Sequence, residues 1–123
     1  MPVIRHDQTR RSETPAGVMT TLASPTLGGA TRPLWRVDMP PGAAGPTHTI
    51  DAEQIWTVIA GGATIHLADE VATVTTGDTV IIAPDAERQL TADRKSGLTA
   101  IVTSPAGTTA TRAGAAVSPP WTT

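Results

Sequence analysis

The chain has 123 residues, the size of one domain, and a formal net charge of -2 without an extended basic patch, so we expect no nucleic-acid partner. It contains no cysteine, which excludes disulfides, thiolate metal ligands and a cysteine nucleophile. No segment reaches membrane-spanning length and the first residues lack a secretory apolar region, so we expect a cytoplasmic protein without membrane contact.

The beginning of the chain predicts an arm followed by two strands. Residues 1–15 are polar, and we expect a flexible arm or one that lies across a partner subunit. Val18–Ala23 and Leu34–Met39 predict strands, separated by a loop rich in Gly, Pro and Thr. The domain then extends over residues 16–105, and residues 106–123 form a tail that we expect to pack on the domain or on a partner.

The middle of the chain predicts several short strands separated by turns. A strand over residues 54–60 should end in a turn at Gly61-Gly62, and a hairpin should follow with its turn at Asp69-Glu70. The remaining predicted strands cover residues 63–68, 71–75, 79–83, 87–92 and 98–104. No apolar period of 3.6 residues extends over ten or more positions. This pattern indicates an all-β sandwich or barrel.

Two stretches resemble the motifs of the cupin family. Gly45–Gly62 reads GPTHTIDAEQIWTVIAGG, and cupins have here a Gly, His-x-His, an acid and a closing Gly. Gly77–Ala92 reads GDTVIIAPDAERQLTA and resembles the second motif, in which Gly-Asp opens a strand and a His follows a turn. The resemblance implies a cupin-like double-stranded β-helix, that is, a jelly-roll barrel. Small cupins commonly pair through sheet edges, so it also implies a homodimer.

The resemblance also shows where the metal ligands of a typical cupin have changed. His48 keeps the place of the first histidine, whereas Ile50, Gln54 and Arg88 stand at the other three ligand positions. An amide oxygen is a poor ligand and a guanidinium repels a cation, so we expect no metal or other cofactor. A divalent transition metal is the alternative, and it would have to use His48 and Gln54. A register slip of one residue would bring Glu53 inside in place of Gln54.

By the same resemblance, His48, Gln54 and Arg88 project into one apolar pocket. A histidine can transfer a proton, an arginine can bind a carboxylate, enolate or phenolate oxygen, and a glutamine can orient either partner. Trp56 would add a flat wall for a cyclic small molecule. The other predicted ligand-binding residues are Ile50, Glu53, Val58 and Leu90. His66 lies in a predicted strand, where we expect a role at the surface or at an interface.

Three functions remain open at this point. The first is a metal-independent enzyme that isomerises, cyclises or dehydrates an oxygenated small molecule, with His48, Arg88 and Gln54 as catalytic residues. The second is a cupin that binds or senses a ligand without turnover, and the third is a metal-dependent oxygenase or isomerase with an atypical site.

The three residues proposed as catalytic could instead have purely structural roles. His48 and Gln54 could simply satisfy backbone groups, and Arg88 could pair with an acid among Asp51, Glu53 and Asp85.

Overall fold

A computed structural model describes all 123 residues as eleven strands and two single-turn 3-10 helices. The helices cover His6–Gln8 and Pro120–Thr122. The strands are β1 Arg10–Thr14, β2 Gly17–Ala23, β3 Leu34–Met39, β4 Thr49–Ile50, β5 Gln54–Leu67, β6 Glu70–Thr75, β7 Thr79–Ile82, β8 Arg88–Ala92, β9 Leu98–Thr103, β10 Ala110–Arg112 and β11 Ala115–Val117. The predicted all-β class is confirmed. No helix is long and apolar enough to span a bilayer.

Strand β5 connects the two halves of the fold. Its first half pairs with β7 and β9, and its second half pairs with β6 and β8. The main sheet has eight strands in the order β1-β2-β3-β9-β5-β6, with β7 and β8 also on β5, and a second sheet has the order β11-β10-β4. Because one 14-residue strand belongs to both halves, the sheet curls over a shared core as in a jelly roll.

The predicted turn at Gly61-Gly62 is wrong, because β5 continues through both glycines. Gly61 has a φ of +71° and the register shifts between Val58 and Ala60, so the strand bends without reversing. A Cβ on Gly61 would clash with the carbonyl oxygen of Gly97, and one on Gly62 would lie 2.6 Å from that of Val74. The two glycines therefore allow neighbouring backbone to approach closely.

The hairpin that follows the bend was predicted correctly in its strands but not in its turn. Leu67 pairs with Glu70, so the two-residue turn is Ala68-Asp69, one position earlier than expected. Ala68 has a φ of 51°, in the left-handed region that this kind of tight turn uses. The physical reason is the pairing itself, because the β5–β6 ladder continues in register to the last residue before the turn.

The N-terminal segment is more ordered than a flexible arm. Arg10–Thr14 forms β1 and pairs with β2 in a tight hairpin that ends at the pair Thr14 and Gly17. The sequence RRSET has no apolar residue, so only backbone pairing with β2 makes it a strand. Strand β3 has the predicted bounds, and β2, β7, β8 and β9 agree with the prediction to within one residue.

The core lies between the curled sheets and is mainly aliphatic. Side chains from β3, β5 and β9 dominate it, and Trp35 is the largest of them with 1% of its surface exposed. The other core members from these strands are Val37, Met39, Val58, Ala63, Ile65, Leu98, Ala100 and Val102. This burial fixes which face of each strand points inward, and it therefore determines which polar side chains enter the barrel.

Candidate functional site

A cavity of about 700 Å³ opens within the barrel and is lined by residues from both sheets. We call it the barrel cavity. Of the eight residues predicted for the site, six line it: Ile50, Gln54, Trp56, Leu90, His48 and Arg88. The other two do not, because Val58 packs in the core and Glu53 is exposed. The cavity is in the size range typical of pockets that hold small organic ligands.

The register of β5 decides which of two adjacent residues enters the cavity. Gln54 is 6% exposed and Val58 is 2% exposed, whereas Glu53 lies on the surface just before the strand. The ladder of Gln54 with Ile82 holds this register. Side chains alternate along a strand, so Gln54, Trp56 and Val58 share the inner face, and the one-residue slip that would admit Glu53 does not occur.

Arg88 is the most deeply buried charged residue of the site, with 1% of its surface exposed. Its guanidinium donates from Nε to the carbonyl of Ala86 at 3.1 Å and from Nη2 to the carbonyl of Ala83 at 3.0 Å. A third bond runs from Nη1 to Gln54 Oε1 at 3.3 Å. Burial lowers the pKa of Arg88, and the negative charge of Asp85 partly opposes this.

No carboxylate forms an ion pair with Arg88. The two ion pairs of the molecule are Arg11 with Glu13 and Arg36 with Asp38, and both lie on the surface. The alternative in which Arg88 pairs with Asp51, Glu53 or Asp85 is therefore wrong. A guanidinium has five N–H donors, and all three hydrogen bonds of Arg88 go to neutral oxygens. No carboxylate touches Arg88, so an anionic group in the cavity can form the direct ion pair that the protein does not supply.

Gln54 joins the arginine to the tryptophan wall. Its Oε1 accepts the bond from Arg88 and another from Trp56 Nε1 at 3.3 Å. Two N–H donors directed at one atom identify that atom as the amide oxygen. The amide nitrogen has no acceptor in the protein, so its two N–H groups remain free for a ligand. Gln54 thus does more than satisfy neighbouring backbone groups, and it holds Arg88 and Trp56 in fixed positions.

His48 lies directly opposite Arg88 in a short antiparallel bridge. The His48 N–H donates to the Arg88 carbonyl at 3.0 Å, and the Arg88 N–H donates to the His48 carbonyl at 2.9 Å. Residues that exchange both backbone bonds point their side chains to the same side, so both side chains line the barrel cavity.

The ring of His48 is held in one tautomer. Nδ1 lies 2.8 Å from the Pro46 carbonyl, which can only accept, so Nδ1 carries the proton and Nε2 has a free lone pair. Burial lowers the pKa of His48; the bond to Pro46 opposes this, and the positive charges of Arg88 and Arg112 lower the pKa further. His48 is therefore a neutral base at physiological pH.

The metal expected of a typical cupin does not fit the residues present. No group of three or more His, Cys, Asp or Glu side chains is arranged to hold a metal ion. The donors nearest to such a set are His48 and Gln54, and the Gln54 oxygen already accepts two hydrogen bonds. The Arg88 guanidinium stands at a third ligand position and repels a cation.

The C-terminal tail contributes residues to the cavity that the motifs did not indicate. Arg112 from β10 and Trp121 from the last 3-10 turn line it, together with Trp35 from β3. The tail is held by the Thr21 hydroxyl, which donates to the Trp121 carbonyl at 2.9 Å. The one signal in the sequence for these tail contacts was a Trp at the end of a polar segment, because such a side chain needs apolar surface to cover it.

His66 is exposed and lies outside the barrel cavity, as expected.

Comparison with known proteins identifies the family. The cupin domain model (Cupin_2) matches residues 35–103, which is more than half of the chain. The chain belongs to the cupin family. The resemblance inferred from the two motifs is thereby confirmed, and the matched cupin segment contains His48, Gln54, Trp56 and Arg88. No curated protein sequence matches this cupin at a significant level.

Solved structures similar to this cupin confirm the jelly roll. The polyketide cyclase RemF from Streptomyces resistomycificus has a TM-score of 0.73 at 18% identity, with 85% of this chain and 79% of that chain covered. An RmlC-like cupin from Shewanella frigidimarina has a TM-score of 0.67 at 19% identity, with 84% and 89% covered. The DMSP lyase DddQ from Ruegeria pomeroyi has a TM-score of 0.71 at 17% identity, with 85% and 61% covered. At these identities the likeness concerns the fold.

Proposed function

We propose that this cupin binds an oxygenated small molecule and catalyses proton transfer without a metal, as an isomerase, cyclase or dehydratase. The observation that carries the proposal is the pairing of His48 with Arg88 across one bridge, inside a cavity of about 700 Å³. His48 supplies a neutral base with a free Nε2, and Arg88 supplies a buried positive charge without a carboxylate partner. A base next to an unpaired cation suits a reaction that passes through an oxyanion.

The proposed chemistry begins with a carbonyl compound that has an acidic C–H bond. Nε2 of His48 takes the proton, the C–H electron pair becomes the C=C bond of an enolate, and the enolate oxygen accepts N–H bonds from Arg88. Isomerisation ends when the imidazolium of His48 returns the proton to another carbon. In cyclisation the enolate carbon attacks a second carbonyl and the alkoxide takes the proton; in dehydration a β-hydroxyl takes it and leaves as water.

Gln54 and Trp56 would place the substrate for this step. The free N–H groups of Gln54 can donate to a second oxygen of the substrate, and the ring of Trp56 offers an apolar surface for a flat carbon skeleton. Ile50 and Leu90 complete the apolar lining near the bridge. The similar structures include a polyketide cyclase and a DMSP lyase, so the cyclase and lyase classes are compatible with this fold.

The test measures hydrogen–deuterium exchange at enolisable carbons. A panel of ring ketones and cyclic 1,3-diketones, with and without a carboxylate, is incubated with the protein in deuterated water and followed by mass spectrometry. We expect faster exchange than in buffer for at least one probe, and His48→Gln should slow it by about 10²–10⁴-fold. His66→Gln is the matched control, because it removes an exposed histidine outside the cavity.

Two outcomes would count against this enzyme. Binding of the probes without any exchange above the buffer rate would favour a cupin that binds or senses its ligand. Exchange by the wild-type protein that stops after treatment with a chelator and returns when a divalent metal is added would favour a metal-dependent cupin. Arg88→Met is measured in the same deuterium-exchange assay. If Arg88 stabilises the oxyanion, we expect this variant to slow exchange by about 10²–10³-fold.

We also propose that two copies of this cupin pair through the outer face of the main sheet, in the cytoplasm. Side chains that alternate with the inner face expose apolar surface there: Ile59 is 45% exposed and Ile81 is 64% exposed. Ile55 pairs with Ile81 in the ladder and adds to the same face. An apolar face of this kind on a small β domain favours association with a second copy.

A further inference from the structure

The charge of the barrel cavity is opposite in sign to the charge of the whole chain. The chain has 9 basic and 11 acidic residues, for a net charge of -2. The cavity is lined by two arginines, Arg88 and Arg112, and by no aspartate or glutamate. Neither arginine belongs to an ion pair. A cavity lined by two cations and no carboxylate attracts anionic ligands and rejects cationic ones.

The two arginines stand at different depths. Arg88 on β8 is 1% exposed and fixed by three hydrogen bonds, whereas Arg112 on β10 is exposed and forms no hydrogen bond within the protein. Arg88 thus lies in the interior of the cavity, and Arg112, which belongs to the tail, lines the cavity from its solvent-exposed side. Both lie near enough to His48 for their charges to lower its pKa, although burial contributes more.

The aromatic residues of the chain are concentrated around the same space. The chain has three tryptophans and no Phe or Tyr, and all three tryptophans line the cavity. Trp35 and Trp56 come from the main sheet, and Trp121 comes from the tail. Trp35 is 1% exposed, so the indole surfaces accessible to a ligand are mainly those of Trp56 and Trp121, which are partly exposed. Two accessible indoles favour a ligand with a flat ring system, because stacked and edge-to-face contacts need a second planar group.

We propose that the ligand of this cupin is a flat aromatic or polycyclic carboxylate, and that Arg112 determines this specificity by binding the carboxylate at the cavity opening. The inference rests on the proposed function, since the other end of the same ligand presents the oxygen that faces Arg88 and His48. A planar guanidinium matches a carboxylate with two parallel N–H bonds. Arg112 is a specificity residue in this arrangement and takes no part in proton transfer.

The test compares binding of 2-naphthoate with binding of 2-naphthamide by isothermal titration calorimetry. The two probes share the ring system and differ in charge. We expect the protein to bind 2-naphthoate about 10-fold more tightly, the lower end of the range for a hydrogen bond to a charged group. Arg112→Gln should abolish this preference, because it weakens binding of 2-naphthoate much more than binding of 2-naphthamide, whose carbonyl accepts only a neutral hydrogen bond. Arg94→Gln is the matched control, because Arg94 is exposed and lies away from the cavity.

Several results would overturn the proposal. It fails if the protein binds neither probe, if it binds both equally, or if Arg112→Gln keeps the preference for 2-naphthoate. Cyclohexanecarboxylate serves as a third probe, and equal affinity for it would contradict the requirement for a flat ring. The test is independent of catalysis: a preference that depends on Arg112, without deuterium exchange in any probe, would preserve the ligand class and refute the proposed enzyme.

Discussion

Gly61→Ala tests the bend that lets β5 belong to both halves of the barrel. Gly61 has a φ of +71°, and a Cβ there would clash with the carbonyl oxygen of Gly97. It would also lie 2.8 Å from the carbonyl carbon of Gly97 and 3.3 Å from the Ser96 oxygen. All three obstacles are backbone atoms of one turn, so no side chain can rotate to make room.

The expected loss of stability is the sum of two costs. A left-handed conformation costs about 1–2 kcal/mol for a residue with a Cβ. Forcing extra volume against fixed neighbours costs about 1–3 kcal/mol more. We therefore expect Gly61→Ala to lower the free energy of unfolding by about 2–5 kcal/mol, measured by urea denaturation with tryptophan fluorescence.

Gly29→Ala is the control that separates the two costs. Gly29 has nearly the same backbone angle, a φ of +67°, but nothing lies within 4 Å of the position that its Cβ would occupy. This variant should lose only the conformational cost, about 1–2 kcal/mol. Equal losses in the two variants would refute the close approach of Gly97 to β5. A Gly61→Ala variant as stable as wild type would refute the bend itself.

Three further predictions concern His48, the tail and the outer sheet face. Burial holds the pKa of His48 below its ordinary value of 6.5, so unfolding takes up a proton in acid. The free energy of unfolding should fall as the pH decreases from 6.5 toward the folded-state pKa, and His48→Gln should reduce this slope in urea titrations at several pH values. Thr21→Val removes the bond to the Trp121 carbonyl and should cost about 1 kcal/mol in urea denaturation, whereas Thr20→Val, on the opposite face, should cost less. Ile81→Asp should convert a dimer to a monomer in light scattering after size-exclusion chromatography; a mass that does not change would contradict pairing through this face.

The sequence predicted the strands well where alternation and turn signals agreed. Leu34–Met39 is an example, because its apolar residues alternate and Pro40 ends it. Prediction was wrong where a local signal has two structural meanings. A Gly-Gly pair marks a turn, but it also marks a strand that bends past close backbone, as at Gly61-Gly62. Strand β1 was missed because a polar segment becomes a strand only through its partner.

The sequence by itself determined the cupin family, the strand alternation that puts Gln54, Trp56 and Val58 on one face, and the loss of the usual metal-ligand residue types, because motif spacing and side-chain alternation are local properties. It left open whether Glu53 or Gln54 points inward, and the register of β5 in the structure decided this. It did not determine that Arg88 lacks an acidic partner, or that Arg112 and Trp121 reach the cavity. The last two facts depend on where the tail with β10 packs, and β10 begins more than 20 residues beyond Arg88 in the chain. Contacts between such distant segments arise from the burial and pairing of the whole chain, so only the tertiary structure decided them.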